Sequence, residues 1–212
     1  INIQETKMKK ISELMDGQKL LPIIQVENEE DGVSIALAMS DAGLNTVEVV
    51  LRSERSAHAI AAIKSALPKM TVCAGTVIDQ VSLDAAVDAG ADFIVTPAVT
   101  ERLLAMLGST NLPVLPGVSN VAEIILAREH GYREMKLFPA SLSGGTAFLK
   151  AVAGLFKDTY FCPTGGVSQA NFNEYPSLPN VFAAGGTWIS KPQWVADKHW
   201  QNITTACKDA LR

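Results

Sequence analysis

The sequence predicts an α/β fold, a (β/α)8 TIM barrel of eight parallel strands with an extra N-terminal helix. Three observations carry this. Short apolar runs alternate with stretches of helical spacing along all 212 residues, the pattern of successive βα units. Helices end on a repeated signal, Asp41-Ala42-Gly43, Asp88-Ala89-Gly90 and Glu129-His130-Gly131, and a strand begins about three residues after each. No glycine fingerprint follows the first strand, where Glu27-Asn28-Glu29-Glu30-Asp31 is acidic and a poor cradle for phosphate. That argues against the alternative, an open doubly wound sheet. No linker-like or low-complexity stretch divides the chain, so residues 1–212 read as one domain.

The elements follow in order. Residues 5–16 read as an amphipathic opening helix closed by Gly17. Residues 20–26 form a buried strand, 29–42 a helix stopped at Gly43, and 46–51 the second strand. A helix over 56–67 stops at Pro68, and a third strand over 71–74 leads into Gly75-Thr76. Residues 78–89 are helical, 93–96 the fourth strand cut by Pro97, 100–107 a helix and 113–115 a short fifth strand. Asn120 is placed to cap a helix running to His130. The sixth strand, 134–138, carries a lysine between apolar neighbours. A helix over 144–156 leads to the seventh strand, 160–163. A short helix after Ser168 is broken by Pro176, the eighth strand covers 181–184, and an amphipathic helix over 197–212 closes the chain.

Composition narrows the class. Apolar residues make up 48% and the net charge is −4. With no basic cluster, nucleic acid is not an expected partner. No apolar run is long enough to span a bilayer, and residues 1–10 hold no signal-peptide core. Cys73, Cys162 and Cys207 are widely spaced and odd in number, which supports neither a disulfide framework nor a zinc site. A reducing cytoplasm is the expected compartment. His58, His130 and His199 fall on helices or their ends without metal-ligand spacing, so no metal and no cofactor is expected.

The chemistry centres on Glu134-Met135-Lys136-Leu137-Phe138-Pro139. An ammonium ion is costly to desolvate unless it is paired or deprotonated, and the neutral amine is the form that attacks carbonyls. Taken alone, such a lysine more often snorkels to solvent. The repeat changes that reading. Five residues beyond each helix-ending glycine stand Glu48, Val95 and Lys136, which suggests equal depth. Strands two and six lie opposite each other in an eight-stranded barrel, and even-numbered strands share interior layers. Glu48 and Lys136 are then expected to meet at the axis, either as a structural ion pair or as a Schiff-base lysine with its proton shuttle. Arg52, after the second strand, is placed to hold a carboxylate, and Thr76 ends the third strand nearby. Gly165-Gly166 and Gly185-Gly186-Thr187 follow strands seven and eight, where barrels bind phosphate through backbone N–H groups and a helix N-terminus.

The chain resembles the KDPG (2-keto-3-deoxy-6-phosphogluconate) and 4-hydroxy-2-oxoglutarate (KHG) aldolases. The resemblance rests on Val47-Glu48-Val49-Val50-Leu51-Arg52, Ala74-Gly75-Thr76-Val77, Thr96-Pro97, Leu115-Pro116-Gly117-Val118, Lys136-Leu137-Phe138-Pro139-Ala140, Cys162-Pro163-Thr164-Gly165-Gly166 and Gly185-Gly186-Thr187-Trp188. It implies a class I aldolase on a (β/α)8 barrel, assembled as a homotrimer, with a small phosphorylated 2-oxo sugar acid as substrate. It implies Lys136 as the Schiff-base residue and Glu48 as the general acid/base. Arg52 and Thr76 would contact the pyruvate carboxylate, Gly165, Gly166 and Thr187 the phosphate, and Pro97, Phe138 and Thr164 would line the pocket. Three positions depart from the family pattern: Val50 replaces a common threonine, Ser141 a common glutamate and Thr187 a common serine. The rival readings are an aldolase for the galactonate epimer and a non-catalytic phosphosugar-binding barrel.

Overall fold

The computed structural model describes residues 9–212. The strands are β1 (Leu20–Ile24), β2 (Thr46–Val50), β3 (Thr71–Gly75), β4 (Phe93–Val95), β5 (Val114–Leu115), β6 (Gly117–Val118), β7 (Glu134–Leu137), β8 (Tyr160–Pro163) and β9 (Ala184–Gly186). β5 is the predicted fifth strand, 113–115; β6, beyond Pro116, which has no N–H to give the ladder, was not predicted. The predicted sixth, seventh and eighth strands are therefore β7, β8 and β9.

The sequence predicts a single closed barrel; the strands instead form a curled, parallel α/β sheet in two pieces. Six strands run in the order β5-β4-β3-β2-β1-β9 and three in the order β6-β7-β8. The pieces part at Pro116 on one side. On the other, β8 and the β9 segment touch through isolated bridges, Phe161 with Val181 and Thr164 with Gly185. The eighth strand begins at Ala184 rather than at residue 181, because its pairing to β1 starts there, Leu20 opposite Ala184.

Alternation along each strand sorts the core. Val47 and Val49 of β2, like Met135 and Leu137 of β7, pack with the helices in the larger apolar cluster. Glu48 and Lys136 stand between them and so face the inside of the curl. There Leu21, Cys73, Phe93, Val95, Leu115, Cys162 and Ala183 form a second apolar cluster. Each large apolar side chain fully buried in this way contributes about 1.5–3 kcal/mol.

The helices are α1 (Ile11–Leu14), α2 (Glu29–Ser40), α3 (Glu54–Ala66), α4 (Gln80–Asp88), α5 (Glu101–Leu107), α6 (Val121–Glu129), α7 (Gly145–Ala153), α8 (Pro192–Ala196) and α9 (Trp200–Ala210). Asn120 caps α6 as expected, accepting from Glu123 N at 3.1 Å. The opening helix is shorter than predicted. Residues 5–8 lie outside the described part, and Lys10 is already the N-cap. Ile11 of α1 and its C-cap Met15 are buried in the inner cluster, and α1 anchors to β7, with Ser12 N donating to Glu134 at 3.1 Å. The segment after Ser168 is a 3-10 turn, Phe172–Glu174. The closing helix starts at Trp200, preceded by α8, which starts on Pro192 and was not anticipated. No described helix is long and apolar enough to cross a membrane.

Candidate active site

A cavity of about 150 Å³ opens at the C-terminal ends of the strands. Lys136 and Glu48 form its depth. Lys136 Nζ donates to Glu48 Oε1 at 3.1 Å and lies 3.5 Å from Oε2. The two side chains are 7% and 1% exposed. They come from β7 and β2, as the equal offsets from Gly131 and Gly43 suggested. The Phe138 ring covers the amine, its centroid 5.2 Å from Nζ. Cys73 stands opposite Glu48 in register and Cys162 opposite Lys136. Burial pushes both thiols up, with Glu48 adding to the rise, so both are neutral neighbours of the pair.

The rim gathers the remaining predicted residues. Arg52, Thr76, Pro97, Phe138, Thr164, Gly165, Gly166, Gly186 and Thr187 all line this cavity. Arg52 is exposed and steadied by Gln25, whose Oε1 accepts from Nη1 at 3.1 Å. Thr76 has φ +66°, the left-handed region that a β-branched residue rarely enters. Its backbone is held on both sides: Leu51 N donates to Gly75 O at 2.9 Å and Val77 N to Val95 O at 3.2 Å. Thr164 Oγ1 is buried with no partner among the described residues. A buried hydroxyl without a partner in a cavity wall is available to a ligand.

Gly185 stands apart from the other predicted residues. It lies within β9, opposite Leu21, and does not line the cavity. A Cβ there would meet Leu21 O at 2.4 Å, so the glycine serves close strand packing. The phosphate expectation changes in a second way. No long helix begins directly after either glycine pair, only the 3-10 turn and the short α8. What the loop offers is backbone: the N–H groups of Gly165, Gly166 and Thr187 donate to no described acceptor. Sequence reasoning missed Ile23, Gln25 and Val167, which share the cavity. The signal for Gln25 was a polar residue near the end of an otherwise apolar run.

The histidines lie elsewhere. His58 faces Glu29 at 3.7 Å, His130 faces Glu101 at 3.0 Å, and His199 is exposed. Among the described residues no three His, Cys, Asp or Glu side chains gather as a metal site. A larger cavity, about 550 Å³, lies at the opposite end of the strands, bordered by Glu134 and Tyr160, the first residues of β7 and β8. Lys136 and Glu48 have no part in it.

The family model for KDPG and KHG aldolase matches residues 11–206. The chain belongs to the KDPG and KHG aldolase family. Among its curated members, the 2-dehydro-3-deoxy-phosphogluconate aldolase of Pseudomonas aeruginosa is 42% identical over 208 residues, covering 98% of this chain and 94% of the relative. The KHG/KDPG aldolase of Escherichia coli K12 is 37% identical over 192 residues, covering 91% of this chain and 90% of the relative. A solved family structure, KDPG aldolase from Legionella pneumophila with pyruvate captured as a covalent carbinolamine, superposes with TM-score 0.90. It is 34% identical, and the match covers 94% of this chain and 97% of that one.

Proposed function

We propose that the chain is a class I aldolase that cleaves KDPG to pyruvate and glyceraldehyde 3-phosphate, and 4-hydroxy-2-oxoglutarate to pyruvate and glyoxylate. The observation that carries the reading is the buried Lys136–Glu48 pair at 3.1 Å, opening onto a cavity bordered by Arg52 and Thr76. A proton passing from Nζ to the carboxylate leaves an amine nucleophile and a carboxylic acid in contact. The amine adds to C2 of the 2-oxo acid. Glu48 returns the proton to the alkoxide, then carries one proton from the nitrogen to the resulting hydroxyl, water leaves, and an iminium remains. A base then takes the proton of the C4 hydroxyl, with Glu48 acting through water. The C3–C4 bond breaks, its electron pair flows into the iminium to give an enamine, and the aldehyde departs. Protonation at C3 and addition of water release pyruvate and restore Lys136.

Arg52, steadied by Gln25, is assigned to the substrate carboxylate together with the Thr76 hydroxyl. The free N–H groups of Gly165, Gly166 and Thr187 are assigned to the phosphate. The Thr164 hydroxyl is assigned to the substrate, and Pro97 and Phe138 to the pocket walls. The two sheet pieces are read as halves of one (β/α)8 barrel, a single domain over 1–212 with α1 as the extra element. A homotrimer is proposed from the family resemblance. A cytoplasmic site fits the three free, buried cysteines.

Borohydride reduction in the presence of pyruvate tests the central step. A stable adduct on the peptide carrying Lys136 is expected. Loss of activity with no adduct there, or an adduct on Lys150 or Lys191 instead, would overturn the assignment. A phosphosugar-binding protein with a merely structural ion pair would yield no adduct.

A further inference from the structure

Glu48 reaches Lys136 across a gap that β3 leaves open. An ideal Cβ on Gly75 would lie 2.2 Å from Glu48 Oε1 and 2.9 Å from both Cδ and Cγ. The Glu48 side chain thus fills the space that any other residue at 75 would occupy. In register Glu48 stands opposite Cys73, and Val50 opposite Gly75. The carboxylate therefore slants along β3 towards the C-terminal end, where the cavity opens.

The backbone gives no separate reason for glycine here. Gly75 is not among the glycines of positive φ. Its carbonyl accepts from Leu51 N, a bond alanine would keep equally well. Other glycines around the site differ. Gly165 and Gly166 have φ of 84° and 81°, and a Cβ on Gly117 would meet backbone atoms of Thr96 and Pro97. At Gly75 the three nearest atoms all belong to Glu48.

We propose that Gly75 is a positioning residue, whose missing side chain sets where the Glu48 carboxylate stands against Lys136. This rests on the reading of Glu48 as proton shuttle. With alanine at 75 the carboxylate oxygen, 2.2 Å from the new Cβ, must move by about 1.2 Å or more to reach ordinary contact distance. The obstacle is side chain from Cγ outward and no backbone atom, so the Glu48 side chain gives way and the strand stays. Misplacing a reacting group on that scale costs on the order of a hundredfold in rate.

A double-mutant cycle tests this: Gly75→Ala, Glu48→Ala and the pair together, in the full chain, each read by kcat, KM, pyruvate trapping and thermal melting. Gly75→Ala should lower kcat by about a hundredfold, move KM much less and slow trapping. In the Glu48→Ala background the space is vacant, so adding Gly75→Ala should change turnover and melting by little. Near-normal turnover in Gly75→Ala, or an equal cost in both backgrounds, would overturn the proposal and leave Gly75 a strand-packing residue. If Gly75→Ala alone does not fold, the pair decides: recovery of the fold by Glu48→Ala supports the clash, and continued failure refutes it. If Glu48→Ala alone turned over normally, the proton-shuttle reading would fail instead, while the melting coupling would still report the packing.

Discussion

Thr76 stands where the backbone is least comfortable for it. Its φ of +66° puts a β-branched side chain in the left-handed region, a conformation that costs of order 1–3 kcal/mol and persists only when the surroundings enforce it. Hydrogen bonds at the two flanking residues, Leu51 N to Gly75 O and Val77 N to Val95 O, supply that enforcement, and Thr76 lines the cavity. Strain kept at a cavity wall points to the hydroxyl as the reason. Thr76→Gly should therefore separate stability from function. Glycine tolerates the angle, so the melting temperature should hold or rise, while KM for 2-oxo acids should climb at least tenfold. A clear drop in melting temperature would show that Thr76 contributes packing rather than stored strain. The meeting of Glu48 and Lys136 was legible in sequence, because one offset from a repeated glycine marked both. The strain at Thr76 was not, since Gly75-Thr76 reads in sequence as an ordinary strand end. Nor was the part played by Gly75, which depends on where a side chain from another strand lies.

At the scale of elements, the strands whose apolar runs are dense came out where the pattern put them. β2, β3, β7 and β8 agree with the prediction to within one residue at each end. β9 does not, because Val181-Phe182-Ala183-Ala184 is the apolar run while the pairing edge is the glycine-rich stretch beyond it. Composition marks burial, and here the pairing partner, β1, decided the register. α8 was missed although Pro192 sits at its first turn, a recognised start signal. The same tight pairing makes a prediction at the junction of β4 and β6. A Cβ on Gly117 would lie 2.4 Å from Thr96 O and 2.5 Å from Pro97 C. Thr96 Oγ1 also accepts from Gly117 N at 2.9 Å and donates to Ala98 O at 2.8 Å, tying the segments together. No flexible side-chain end is available to give way. Gly117→Ala should therefore cost stability, about 3 kcal/mol by urea unfolding, the upper end of ordinary overpacking. It should harm the fold first and catalysis only as a consequence. A variant with unchanged unfolding but impaired turnover would contradict this and place Gly117 in the chemistry.

Across the whole molecule, charge bears on how the two anionic ends of the proposed substrate would be told apart. Among the described residues lining the cavity the only cations are Lys136 and Arg52. If Lys136 is consumed in an imine and Arg52 holds the carboxylate, no cationic side chain of the lining is left for a phosphate. The N–H groups of Gly165, Gly166 and Thr187 must then carry it, in a chain whose net charge is −4. An added negative charge at this rim is a direct test, provided it does not disturb the loop. Gly166 is unsuitable: its φ is +81°, and a Cβ would lie 2.1 Å from Ser141 Oγ. Thr187 is exposed and lines the cavity, so an acidic side chain fits there without strain. Thr187→Asp should lower kcat/KM for KDPG by roughly a hundredfold, about 2.7 kcal/mol of transition-state stabilisation. For 4-hydroxy-2-oxoglutarate, which has no phosphate, the loss should stay within about tenfold, and pyruvate trapping on Lys136 should persist. Thr187→Ser, which keeps the hydroxyl and adds no charge, should behave like the parent with both substrates. Equal losses on both substrates in a folded Thr187→Asp variant would mean that this rim is scaffold, and the phosphate would have to be sought on another wall of the cavity.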